Sequence, residues 1–137
     1  FHSFQNNEWH LFEAWVKQQS FEITLITGNH DIIPNWKFED LGILVKKSWE
    51  EGPFFFAHFP GQKTEQFVFC GHVHPGITLT GMGKQNMKLP CFYKSPKQLI
   101  LPPFGVFTGL HIIKPKADEQ IYVTTAKEVL EIKEKLP

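Results

Sequence analysis

Gln66-Phe67-Val68-Phe69-Cys70-Gly71-His72-Val73-His74 reads as a short strand, from Gln66 to Gly71, that runs into two histidines separated by one residue. Strand ends are where a sheet scaffold can aim side chains from different loops at a common point, so this stretch points to a sheet protein with chemistry at its edge. On an extended stretch His72 and His74 face the same side, about 6.5–7 Å apart at a rise of roughly 3.3 Å per residue. Paired metals in hydrolytic sites lie about 3.5–4 Å apart, so this spacing suits one ring on each of two neighbouring ions.

Working outward, other polar groups follow apolar runs in the same way. Pro53 to His58 reads as a strand ending in a histidine, and Phe21 to Thr27 as a strand ending in Gly28-Asn29-His30-Asp31. Asn6 to Gln19 places Trp9, Phe12, Trp15 and Val16 at helical spacing. Residues Asp31 to Gly42, with Pro34 and Trp36, read as a long loop with at most one helical turn. Ile43 to Lys47, Ile77 to Thr80, Met87 to Tyr93 and Leu99 to Leu101 read as further short strands. Gln120 to Thr125 and Val129 to Lys133 alternate well enough for a hairpin, which is preferred over a terminal helix across Ala126 to Lys135.

Composition bounds the chain to one soluble domain over residues 1–137. It is 42% hydrophobic and 15% aromatic, more than a disordered chain carries, and fourteen phenylalanines predict a core built largely from aromatic packing. Fourteen basic residues balance fourteen acidic ones, so the chain lacks the overall basic footprint of a nucleic-acid-coating protein. Cys70 and Cys91 are too few for a disulfide scaffold and lack C-x-x-C spacing, so two reduced thiols and a cytoplasmic setting are expected. No run of about 18 apolar residues exists, so no membrane partner is expected.

Each motif alone has an ordinary explanation. Gly28 to Asp31 suits a turn, because Gly and Asn accept positive φ and Asp caps. His58 after Phe54-Phe55-Phe56-Ala57 suits a satisfied buried histidine, and a surface strand can carry Gly71 to His74 without metal. In order along one chain, the three together favour a metal site. His2, His10 and His111 have no motif support, although His2 could reach the expected site.

The ordered set Gly28-Asn29-His30-Asp31, His58 and Gly71-His72-Val73-His74 resembles the C-terminal half of the calcineurin-like metallophosphoesterases. The phrases His72-Val73-His74-Pro75-Gly76, Leu89-Pro90-Cys91-Phe92-Tyr93 and Leu101-Pro102-Pro103-Phe104-Gly105-Val106-Phe107-Thr108-Gly109 narrow this, because they look like the DNA ligase-associated branch. The resemblance implies a four-layer α/β/β/α sandwich. It implies that Asn29, His58 and His72 bind one divalent metal and His74 a second, with manganese foremost and iron or zinc as alternatives. It also implies that His30 faces the phosphate and assists the leaving oxygen while Asp31 orients its ring. A bacterial cytoplasmic phosphodiesterase or nuclease acting on DNA ends would follow, working beside an ATP-dependent DNA ligase and a helicase-like protein; homo-oligomerisation stays open. Phe59 departs from the acidic residue common in relatives, and Pro103 from a smaller one.

The superfamily's Asp-x-His and Gly-Asp motifs are absent, and Phe1-His2-Ser3 looks like the tail of the second. An N-terminally truncated domain is therefore expected, with an open sheet edge, and with weak or single-metal binding and very low hydrolysis by this chain alone, because Asn29, His58 and His72 are all neutral ligands. Phe104, Phe107 and Tyr93 can stack on a base, although core packing is the preferred reading for the two phenylalanines. Lys84, Lys88, Lys94 and Lys97 can form a basic strip, with scattered solvated lysines as the default. A small-molecule or nucleotide phosphatase and a non-catalytic repair module remain as alternatives.

Overall fold

The computed structural model describes residues 7–81, 83, 85–105 and 108–132. The chain divides into two compact units, Phe1–Trp49 and Glu50–Pro137. The fold is mixed α/β and mostly sheet, with two short helices among the described residues.

The first unit begins with α1, Asn7–Val16, whose buried positions Trp9 and Val16 stand on the face that sequence periodicity selects. Its last turn is closed by the Gln19 side-chain amide, which donates to the Trp15 carbonyl at 2.8 Å. Strand β1, Thr24–Ile26, lies parallel to β2, Leu44–Lys46. Between them α2, Asn35–Glu39, starts after Pro34 and supplies the helical turn expected in that loop. It ends in a Schellman arrangement. Gly42 at φ 78° donates to Glu39, Ile43 donates to Phe38, and the Ile43 and Phe38 side chains join one buried cluster. Trp9, Val16 and Ile33 complete that cluster, with Trp9 edge-on to Phe38 at 5.2 Å.

The second unit is a sheet of short strands. β3, Ser48–Glu51, begins at the division between the units; then come β4, Phe54–Ala57; β5, Phe67–Cys70; β6, Pro75–Thr80; and β7, Asn86–Lys94. β8, Gln98–Ile100; β9, His111–Ile112; β10, Gln120–Thr124; and β11, Val129–Ile132, follow. The order is β11-β10-β7-β8-β5-β4-β3, with β6 leaving the path from β7 and β9 pairing β6. β4, β5 and β8 are mutually parallel, whereas β7, β10 and β11 alternate in direction. The β10–β11 hairpin agrees with the preferred reading of the C-terminal segment.

Strand β7 changes partners along its length. Asn86 to Pro90 pair with β6, and Cys91 to Lys94 pair with β10. Pro90 has no amide hydrogen to donate, which suits the handover point; its carbonyl accepts from the Thr124 hydroxyl at 3.1 Å. Ile77, Cys91, Ile121 and Val123 fill the core around this junction.

One compositional expectation is corrected. Of the described phenylalanines only Phe38 belongs to the buried core, and the second unit's core is aliphatic and thiol: Val68, Cys70 and Ile100 beside the cluster above. Strand alternation explains this. Phe54, Phe56, Phe67 and Phe69 fall on the opposite sheet face from Val68 and Cys70. There they contact one another, with Phe56 stacked on Phe69 at 5.2 Å, and stay partly exposed. The short strands β3 and β9 were not legible in sequence.

Candidate functional site

Three parallel strands end at one edge of the second unit's sheet, and each runs into a segment marked in sequence. His58 follows β4, Gly71 to His74 follow β5, and Leu101 to Gly105 follow β8. The ladder continues past the strands: the Gly71 amide donates to the His58 carbonyl at 3.1 Å and the Leu101 amide to the Cys70 carbonyl at 2.8 Å. The carboxyl edge of parallel strands is the usual position of ligand sites in open α/β sheets.

At this edge the structure brings His58 and His72 together. His58 Nε2 and His72 Nδ1 are 3.1 Å apart, with ring centroids at 5.0 Å. One ring nitrogen donates and the other accepts. The separation also fits two ligands sharing an ion, because bonds of about 2.0–2.1 Å put adjacent nitrogens roughly 2.9–3.4 Å apart. Among the described residues no group of three or more His, Cys, Asp or Glu gathers to complete a sphere. The pair therefore fits one edge of a coordination polyhedron.

The extended reading of Gly71 to His74 is corrected. His72 has φ 65° and His74 φ 54°, both left-handed, and the Val73 amide donates to the Gly71 carbonyl at 2.8 Å. The segment is a tight turn, so period-two alternation does not set the two rings' directions. Such conformations cost a non-glycine residue about 1–2 kcal/mol and concentrate at functional sites. The turn is pinned beyond His74, whose carbonyl accepts from the His111 amide at 2.9 Å where β9 begins. His111, without motif support in sequence, thus serves the site through its backbone.

Asn29, His30 and Asp31 lie exposed at the carboxyl end of β1 in the first unit. Thr27 continues the strand by donating to the Lys46 carbonyl at 2.9 Å. The Asp31 carboxylate accepts from the Gly28 amide at 2.5 Å, so it closes the turn that presents Asn29 and His30.

Of the stacking candidates, Tyr93 packs against both buried clusters of the second unit. Burial pushes its hydroxyl well above the usual range, and a hydrogen bond to Glu119 adds to the shift. Phe104 is fully exposed on the loop after β8, which overturns the core-packing expectation for it. It follows Pro102 and Pro103 on the loop beyond Ile100, the buried core residue of β8. Phe107 and Lys84 lie outside the described residues. Lys94 donates to the Gln120 side chain at 2.7 Å and Lys97 stands 3.9 Å from Glu65. The residue that sequence reasoning undervalued is Phe59. Its ring lies 4.8 Å from that of His58 and 4.6 Å from that of His72. Its place directly after a candidate ligand was the available signal.

With this geometry in view, the chain is similar to a crystal structure of the Pseudomonas putida nuclease MPE. The TM-score is 0.72 and the identity 33%, over 88% of this chain and 59% of that one. The chain thus spans about three fifths of that nuclease's length. No protein-family model and no curated protein matches it.

Proposed function

We propose that this chain belongs to a metal-dependent phosphoesterase that hydrolyses phosphodiester bonds in the manner of a nuclease. The observation carrying this reading is the His58–His72 nitrogen pair at 3.1 Å, on the carboxyl edge of a sheet similar to that of a nuclease. In this reading His58 and His72 hold one divalent ion and His74 a second, with manganese preferred. Bound ions of this kind acidify water and draw charge from phosphoryl oxygens. The chain's own residues do the rest: His30 holds a proton for the leaving oxygen, and Asp31 fixes the turn that presents His30. DNA is the proposed substrate, and a DNA-repair setting beside a ligase and a helicase-like protein is the proposed context. A cytoplasmic location is part of the proposal, in keeping with two buried free thiols; no described helix is long and apolar enough to cross a membrane.

The test is elemental analysis after manganese loading, together with hydrolysis of bis-p-nitrophenyl phosphate and single-stranded DNA by the full-length protein. Bound manganese and turnover are expected, with turnover reduced on the order of 100-fold or more in His58→Ala or His72→Ala, the size typical for removing a catalytic electrostatic partner. A wild-type protein with neither metal nor turnover overturns the reading in favour of an interaction module.

A further inference from the structure

The candidate site contains a ring that the histidine motifs do not explain. Phe59 follows His58 directly, and 46% of it remains exposed. Exposure alone says little about one phenylalanine; its neighbours make it informative. The Phe59, His58 and His72 rings form a triangle with centroid distances of 4.8, 5.0 and 4.6 Å. The aromatic side chain therefore borders both rings of the pair while presenting surface to solvent.

Its backbone is held in place. The Gln62 side-chain amide donates to the Phe59 carbonyl at 2.9 Å, and the Gly61 amide donates to the Gln98 side chain at 3.2 Å. Gly61 sits at φ 72°, a conformation that a β-carbon disfavours. The ring thus stands on a fixed turn, and a fixed platform loses little freedom when a ligand stacks on it.

A phosphodiester carries an organic group on each ester oxygen. With the phosphorus at the histidine pair, one of those groups lies on the rim that Phe59 forms. A carboxylate there would repel the nucleic-acid backbone and offer no stacking face, whereas an aromatic ring accepts any base because every base has a π-face. We infer that Phe59 is the stacking surface for the nucleobase beside the scissile phosphate. The inference rests on the phosphodiesterase reading and adds a substrate-contacting residue to it.

The test is fluorescence anisotropy on the full-length protein in chelator, where cleavage is blocked. Two labelled oligonucleotides of equal length are compared, one of thymidines and one abasic throughout. Phe59→Ala is expected to weaken thymidine binding by roughly 5- to 150-fold, the equivalent of one stacked base. It should leave the abasic affinity unchanged, and Phe59→Trp should restore discrimination. Phe59→Leu, which keeps apolar bulk without a π-face, repeats the comparison if Phe59→Ala unfolds. Equal weakening of both oligonucleotides reduces Phe59 to a support for the histidines, and unchanged binding removes it from the substrate path; either overturns the inference and leaves the nuclease reading standing. A wild-type protein that binds neither oligonucleotide also overturns the inference, while manganese content and turnover decide the nuclease reading separately.

Discussion

His72 occupies the left-handed region at φ 65° with a side chain whose Nδ1 lies 3.1 Å from His58 Nε2. If that strain is kept for the site and not for the fold, glycine at this position should be tolerated. Relief of about 1–2 kcal/mol is opposed by roughly 0.5–1 kcal/mol of extra chain entropy lost on folding. His72→Gly is therefore expected to match or exceed wild-type stability, by no more than about 1.5 kcal/mol in urea unfolding, while losing manganese. A clear loss of stability would assign the ring to the core instead. Cys91 is the opposite case, fully buried with its thiol pushed up to about 12 by desolvation. Because the folded pKa is raised above the unfolded value, its contribution to stability is complete below about pH 8.5 and is lost as pH rises toward 12. In that window stability should fall by up to about 1.4 kcal/mol per pH unit through this group. Urea midpoints of wild type and Cys91→Ala, compared at pH 8 and pH 10.5, check this, and parallel pH dependence in the two proteins counts against it.

Strand β6 shows how closely the sheet is fitted around its glycine. A β-carbon at Gly76 would stand 3.0 Å from Leu110 Cβ and 3.1 Å from the Leu89 carbonyl oxygen, and backbone cannot yield as a flexible side chain does. Gly76→Ala is expected to cost about 1–3 kcal/mol. Val129→Ala on the exposed edge strand should stay within about 0.5 kcal/mol of wild type, which chemical denaturation of the two variants measures. The sequence made elements of this size readable where alternation or helical spacing ran for several residues, as in α1, β5 and the β10–β11 hairpin. It hid β9, whose two residues exist because β6 supplies a parallel partner. Periodicity also assigns alternate faces without saying which face is covered. For that reason the phenylalanines of β4 and β5 suggested an aromatic core, although Val68 and Cys70 are the buried set. In the candidate site, the residue types and their order along the chain were legible. The turn at Gly71 to His74 was not, because left-handed histidines leave no mark on a pattern of polar and apolar letters.

Taken as one body of charge, the chain has fourteen basic and fourteen acidic side chains and a net charge of zero. A chain of zero net charge gives a polyanion no net long-range attraction, so binding of the proposed DNA substrate would have to come from local contacts. Phe59 at the histidine pair, inferred above to stack on a base, and Phe104 on the loop after β8 are exposed rings that could make such contacts. Proteins that neutralise six to ten phosphates lose about 10³–10⁵ in affinity between 50 and 200 mM salt. A chain that engages roughly three phosphates of a single strand, with the rest of its affinity from stacking, should lose no more than about twenty-fold over the same range. Oligonucleotide affinity measured across that range by anisotropy decides the matter. A shallow slope that persists in Phe59→Ala while the affinity itself drops is the expected result, because removing a ring takes away stacking and releases no counterions. A steep slope would mean that lysines such as Lys88, Lys94 and Lys97 carry the binding, and would move the interface from the aromatic rim to the basic side chains.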